Sequence, residues 1–131
     1  MTIVETEWWS MALPPEWWAE LEDESVLVGD RDEVGCIELS TLQKEAGSFT
    51  DDQVADIARS EAGDVATLEA IRLGEFRGYT DEFCEEGAAV REWYLASGGL
   101  LLFITYSCSE DNRGLDEAAV AEILDTLVVR R

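Results

Sequence analysis

The sequence contains no histidine in its 131 residues. Histidine is the commonest general base and the commonest metal ligand, so its absence excludes every Ser-His or Cys-His catalytic pair. The patterns GxxxxGK[ST], GxGxxG, GxSxG and HExxH are absent too, so nucleotide binding has no support from motifs. We therefore name no catalytic, cofactor-binding or metal-ligating residue, expect no cofactor, and favour a protein that is not an enzyme.

Cysteine is scarce and its spacing is unlike that of a metal site. The three cysteines are Cys36, Cys84 and Cys108. They are far apart and form no CxxC pair, so neither a disulfide framework nor a zinc site is predicted. Asp30 and Asp32 resemble the start of a calcium-binding EF-hand loop. The loop would then need ligands at Val34 and Thr41, so no calcium site is predicted.

Basic residues are few, with nine lysines and arginines against 30 acidic residues and a net charge of −21. A surface this negative repels the phosphates of nucleic acids and of anionic lipids. We expect no nucleic-acid partner and no membrane partner, whereas a basic protein partner fits. The acidic residues are scattered along the whole chain, however, which favours adaptation to a salty solvent as the reason for the charge.

Long apolar runs are missing as well. None approaches the 18 residues needed to cross a bilayer as a helix. Residues 1–10 lack the basic start and apolar centre of a signal peptide. These two absences predict a cytoplasmic location.

The hydrophobic pattern indicates a single α+β domain over residues 1–131. Period-two alternation and turn residues predict strands at 8–13, 26–28, 34–39, 68–76, 79–84, 88–96 and 100–107. Residues 16–24 are predicted to be an acidic connector. One helix is predicted to begin with a capping box of Thr50 and Gln53 and to end at Gly63, and a second spans 116–128.

The segment LLLFITYS at 100–107 is apolar on both faces. Such a strand normally lies in the middle of a sheet that is covered on both sides. We therefore expect this segment at the centre of the sheet, with the two helices packed on opposite faces.

Tryptophan is abundant, and two of the five tryptophans follow the double proline 14–15 in the acidic connector. One interpretation is that these rings fill the end of the core beneath the connector. The other is that they contact a partner, because tryptophan is enriched at interfaces. The candidate partner-binding residues are Trp17, Trp18, Glu20, Glu22 and Asp23.

The order of these patterns resembles a known fold. The segments are LPPEWW (13–18), CIELS (36–40), FTDDQ (49–53), REWYL (91–95), LLLFITYSC (100–108) and ILDTLVV (123–129). They resemble the PsbP/Mog-like fold of small, uncharacterised bacterial proteins. The resemblance implies an antiparallel sheet of about six strands flanked by helices. Proteins of this kind include photosystem extrinsic subunits, a Ran-binding transport factor and chaperones of secretion effectors, which bind other proteins without catalysis.

Three hypotheses on function remain open. The first is a non-catalytic, acidic protein-binding module of a bacterial or archaeal cytoplasm. The second, a more specific version of the first, is an immunity protein or a secretion-effector chaperone. The third is a small ligand-binding protein or a carboxylate-based enzyme with a pocket between sheet and helix, which predicts a deep cleft with at least two convergent acids.

Overall fold

The computed structural model describes residues 2–62 and 68–130. Two antiparallel sheets and two α-helices make up this part of the chain. The strands are β1 (Thr2–Glu5), β2 (Trp9–Leu13), β3 (Trp17–Leu21), β4 (Ser25–Asp30), β5 (Gly35–Gln43), β6 (Glu69–Leu73), β7 (Phe76–Glu85), β8 (Ala88–Ser97), β9 (Leu100–Ser109) and β10 (Val128–Val129). The helices are α1 (Asp51–Ala62) and α2 (Glu117–Leu124), with a short 3₁₀ helix at Glu110–Asn112.

The larger sheet has seven strands in the order β3-β4-β5-β9-β8-β7-β6. The smaller sheet has the order β1-β2-β10. β9 is the fourth of seven strands and pairs with β5 on one side and β8 on the other. The expectation that 100–107 lies at the centre of the sheet is confirmed.

The two faces of β9 belong to different parts of the core. On the inner face, Leu102 and Ile104 pack in one cluster with residues of β2 and α2. On the outer face, Leu101 packs with Val54 and Ala58 of α1. Each helix therefore covers one face of the large sheet, as the sequence predicts, and the small sheet adds an unpredicted layer to the inner face.

The capping box at the start of α1 is confirmed. The Gln53 backbone N–H donates to Thr50 Oγ1 at 3.1 Å, and the Thr50 N–H donates to Gln53 Oε1 at 2.9 Å. Asp51 and Asp52 occupy the first turn, where the helix dipole favours negative charge. The predicted helix end at Gly63 lies outside the described residues.

The acidic connector predicted at 16–24 is wrong, because most of it forms the edge strand β3. This strand pairs antiparallel with β4, from Trp17 opposite Asp30 to Leu21 opposite Val26. Side chains in a strand alternate between faces, which puts the acidic Glu20 on the opposite face from Trp17. The acidic composition concealed this alternation.

The prediction of about six strands is only approximate, since the larger sheet has seven strands and the smaller sheet has three.

The predicted helix at 116–128 is too long. α2 ends at Leu124, and Val128–Val129 pairs with β2 instead. Thr126 stabilises the turn between them: its Oγ1 donates to the Ile123 carbonyl at 2.6 Å and accepts the Ala12 N–H at 2.8 Å.

The strand predicted at 68–76 is two strands, because the chain turns after Leu73. Gly74 has a φ of 58°, in the left-handed region that favours glycine. A Cβ at this position would lie 2.2 Å from the Leu127 carbonyl oxygen. The close approach of the turn to the segment after α2 therefore requires glycine.

Candidate functional site

A cavity of about 350 Å³ lies between the inner face of β6–β9 and α2. Its size falls within the range of small-molecule pockets, roughly 300–1,000 Å³. Its apolar walls include Ile71, Leu73, Trp93 and Val120. Leu73, Trp93 and Val120 are also buried members of the inner-face core, so the pocket is an extension of that core towards solvent.

The local sequence of β8 explains the shape of this pocket. Ala89, Arg91 and Trp93 share one face of the strand because side chains alternate. Ala89 and, across the gap, Ala121 of α2 are both small and line the cavity. Short side chains at these two positions leave space between sheet and helix that larger ones would fill.

Arg91 is oriented at the side of the pocket by contacts with three neighbours. Its Nε donates to Thr80 Oγ1 at 3.1 Å, and its guanidinium carbon lies 5.3 Å from the centre of the Trp93 ring. Its Nη1 lies 3.5 Å from Glu117 Oε1. The Thr80 hydroxyl in turn donates to the Glu92 carbonyl at 2.7 Å, so the orientation of the guanidinium is fixed by the sheet.

Arg113 lies at the mouth of the same pocket. Its Nη2 is 3.4 Å from Glu82 Oε1, and its Nη1 is 3.6 Å from Cys84 Sγ. Charge-assisted hydrogen bonds are usually about 2.7–2.9 Å long, so this ion pair is loose. The mouth thus carries two arginines and two glutamates in a chain that is otherwise strongly acidic.

A neutral tyrosine closes the pocket near the start of α2. Tyr106 Oη donates to Asp116 Oδ2 at 2.6 Å, and both residues are buried. Burial and the Asp116 carboxylate raise the pKa of the Tyr106 hydroxyl well above its usual value. Tyr106 therefore stays protonated and ties the central strand to the residue before α2.

A second group of titratable side chains lies on the outer face of the sheet, away from the pocket. Asp81 of β7 and Glu92 of β8 are directly opposite each other, and Tyr94 Oη donates to Glu92 Oε1 at 3.3 Å. Burial, followed by the charge of Asp81, raises the pKa of Glu92 to about 7. Burial also raises the pKa of Asp81, whose Oδ1 has no hydrogen-bond partner among the described residues.

The structure separates the partner-binding residues predicted from the sequence. Trp17 is 9% exposed and packs in the inner-face core, whereas Trp18 is 42% exposed on the opposite face of β3. Trp18 Nε1 donates to the Asp30 carbonyl at 3.2 Å. The acidic candidates Glu20, Glu22 and Asp23 are all exposed. Trp17 is thus part of the core, and of these two tryptophans Trp18 is the one exposed to solvent.

Sequence reasoning missed the pocket residues Arg91 and Arg113. A usable signal was present in Arg91, a rare basic residue in the middle of the apolar strand around REWYL. Nothing local connects it with Arg113 or with α2, because their proximity arises from tertiary packing.

The described residues give no sign of a metal centre or a membrane-spanning helix. Across 2–62 and 68–130, no group of three or more Cys, Asp or Glu residues is arranged to hold a metal ion. Over the same ranges, neither helix has the length and apolar character required to cross a membrane.

The two antiparallel sheets and two helices make this an α+β fold, and comparison with known proteins supports the fold alone. No protein-family model matches the chain, and no curated protein does. Solved structures do match. A protein of Bacteroides thetaiotaomicron is similar over 95% of this chain, with a TM-score of 0.68 and 22% identity. This chain covers only 46% of that protein.

Two further structures extend the comparison. LpqN of Mycobacterium tuberculosis, described as involved in cell envelope biogenesis, matches 99% of this chain and 90% of its own, with a TM-score of 0.59 and 16% identity. The PsbP protein of Synechocystis (CyanoP) matches 93% of this chain over 86% of its own length, with a TM-score of 0.45 and 14% identity. The likeness to the Bacteroides protein and to LpqN is one of fold, in line with the predicted resemblance, and identities this low carry no function across.

Proposed function

We propose that the protein is a non-catalytic binding domain that holds a small, mainly apolar group in the pocket between β6–β9 and α2. The observation that carries this proposal is the cavity of about 350 Å³ whose walls continue the hydrophobic core. A cavity of this size with apolar walls and a few polar groups at its mouth is the usual form of a ligand site.

The acids of this pocket favour binding over carboxylate catalysis. A carboxylate-based enzyme needs two acids in different environments. Glu82 and Glu117 are both largely exposed and each faces an arginine. Asp81 and Glu92, which do have unusual environments, lie on the other face of the sheet and cannot reach a ligand in the pocket.

Filling the pocket tests the proposal. The apolar fluorophore anilinonaphthalene sulfonate should bind the native protein with a saturable rise in fluorescence. Ala121 of α2 is exposed and lines the cavity, so the ring of Ala121→Phe should occupy part of the cavity and abolish that rise in fluorescence. Ala118→Phe is the matched control, because Ala118 is exposed on the same helix and does not line the cavity. Equal binding by both variants would contradict the proposal.

A second function, binding of a basic protein partner, is favoured by the exposure of Trp18 on the edge strand β3. Glu20 shares its face, because side chains alternate along β3, and the exposed Glu22 follows directly after the strand. An exposed aromatic ring among acids suits a positively charged partner. The proposal includes the more specific roles of immunity protein or secretion-effector chaperone, and a cytoplasmic location in a bacterium or archaeon.

Capture of a partner from native lysate addresses this second function. The native protein should retain a basic protein at low and moderate salt. A variant with Trp18→Ser, Glu20→Gln and Glu22→Gln should lose it, whereas Glu45→Gln and Glu61→Gln on exposed positions elsewhere should not. Retention by the β3 variant would exclude this surface.

A further inference from the structure

We infer that the group held in the pocket is an amphipathic monoanion: an apolar chain or ring that ends in a carboxylate bound by Arg91. The inference rests on the proposed function, since it specifies the ligand of the same pocket. Three observations carry it: the volume of the cavity, the fixed orientation of Arg91 and the looseness of the glutamate contacts at the mouth.

The volume sets the size of the apolar part. A cavity of about 350 Å³ corresponds to about twelve waters at roughly 30 Å³ each. A linear carboxylate with a chain of about ten carbons is therefore of the right scale. Its chain would lie against Ile71, Leu73 and Val120, which replace water around the methylene groups.

Among the four charged side chains that line the cavity, that of Arg91 is the most buried. Its side chain is 27% exposed, whereas that of Glu117 is 67% exposed. Water screens the glutamate more strongly than the arginine, so the guanidinium is the less screened member of this ion pair at the cavity wall. Arg91 contacts Thr80 through Nε and Glu117 through Nη1. With Glu117 displaced, the two Nη groups would face a ligand, and a guanidinium can bind a carboxylate through two parallel hydrogen bonds.

The glutamates at the mouth can yield to a ligand. Glu117 lies 3.5 Å from Arg91, and Glu82 lies 3.4 Å from Arg113. Exposed ion pairs of this kind contribute little, so turning either glutamate into solvent costs little. A ligand carboxylate would replace the Glu117 contact with a shorter one in a less hydrated position, with Arg113 beside it.

The net charge of −21 repels an anionic ligand at long range, whereas Arg91 attracts it inside the pocket. Ligands that differ only in the charge of the headgroup therefore show which effect dominates. Screening over about 8 Å at physiological salt weakens the remote charges more than the contact with Arg91. Within the pocket, the guanidinium repels a cationic headgroup. We therefore expect an anionic headgroup to bind more tightly than a neutral one, and a neutral one more tightly than a cationic one.

Calorimetric titration with three probes of equal chain length tests this order: sodium decanoate, decanol and decylammonium chloride, each below its aggregation limit. We expect decanoate to bind most tightly. Arg91→Gln should weaken the binding of decanoate at least about tenfold, which is the usual effect of losing a charged hydrogen bond. The affinity for decanol should not change. Arg113→Gln, at an exposed position, should weaken decanoate less. Arg59→Gln is the control, since Arg59 pairs with Asp56 on α1 and makes the same change in net charge.

The outcomes separate the inference from the proposed function. Tighter binding of decanoate that is lost in Arg91→Gln and kept in Arg59→Gln supports both. If decanol or decylammonium binds as tightly as decanoate, the inference is overturned while the pocket remains a ligand site. If no probe binds, or if Ala121→Phe leaves binding intact, the proposed function fails. Circular dichroism of Arg91→Gln checks its fold, and Arg91→Lys, which keeps the charge, should retain part of the preference for decanoate.

Discussion

The pair Asp81 and Glu92 shows how one cross-strand contact sets the chemistry of single residues. The two carboxyl groups are neighbours on the outer face, where Asp81 is buried and Tyr94 donates to Glu92. Two carboxylates so close in a partly dry site cannot both ionise easily, so one proton is retained near neutral pH. This pair has no signal in the sequence, because paired acids are abundant along the chain and only the strand register brings these two together.

The raised pKa of Glu92 predicts a pH-dependent stability. Its value is about 7 in the folded protein and near 4.5 in the unfolded chain, so the folded state holds the proton more tightly between these values. The free energy of unfolding should therefore fall as pH rises from about 4.5 to about 7. Glu92→Gln should flatten this part of the profile, as measured by urea unfolding from pH 5 to pH 8.

The control for this prediction is Glu20→Gln, at an exposed position on β3. Acid pH also reduces the general repulsion of a negative chain, and this contribution should remain in both variants. The same pH slope in the native protein and in Glu92→Gln would contradict the assignment of the slope to the acid pair.

At the scale of elements, local signals predict the parts of the fold that local chemistry decides. The capping box of Thr50 and Gln53 is formed by residues close in sequence, and it was predicted correctly. The central position of β9 followed from its two apolar faces. β3 was missed because its acidic side chains resemble a solvent-exposed loop, although the main chain pairs fully with β4.

The pocket could not be predicted in the same way. Its walls come from β6 to β9, the segment before α2 and α2 itself, and no local pattern specifies how far a helix stands from a sheet. The end of α2 was also missed, since the contact between Thr126 and the β2 backbone joins residues that are remote in sequence.

The buried central strand gives a prediction at this scale. Ile104 of β9 is fully buried and lies opposite Leu39 of β5 and Trp93 of β8. Ile104→Ala should lower the free energy of unfolding by about 2–5 kcal/mol, because it removes buried methyl groups and leaves a cavity. Ser107→Ala, at an exposed position of the same strand, is the control and should have little effect in urea unfolding. A small loss for Ile104→Ala would contradict the central position.

At the scale of the whole molecule, the net charge of −21 must be carried by a small surface. The ion pairs between described residues are mostly exposed and loose, so they offset little of the repulsion between acids. The fold is therefore expected to be held by its two apolar clusters against this electrostatic strain.

Salt should relieve the repulsion and raise stability. We expect the thermal midpoint to rise steeply with potassium chloride and to level off near about 0.3 M, where screening already acts over a few ångströms. A variant with amides at Glu20, Glu22 and Asp23 should gain less from salt. A rise that continues into molar salt would instead indicate adaptation to a salty solvent, and no rise would exclude a destabilising role of the charge.

Nuclear magnetic resonance of the ¹⁵N-labelled protein, titrated with sodium decanoate, tests the binding pocket most directly. We predict saturable shifts of the backbone amides of Ile71, Arg91, Cys108 and Val120, which surround the cavity, with those of β3 and α1 unchanged. Shifts confined to β3 or the outer face of the sheet, or no shifts at all, would contradict a ligand site between the sheet and α2.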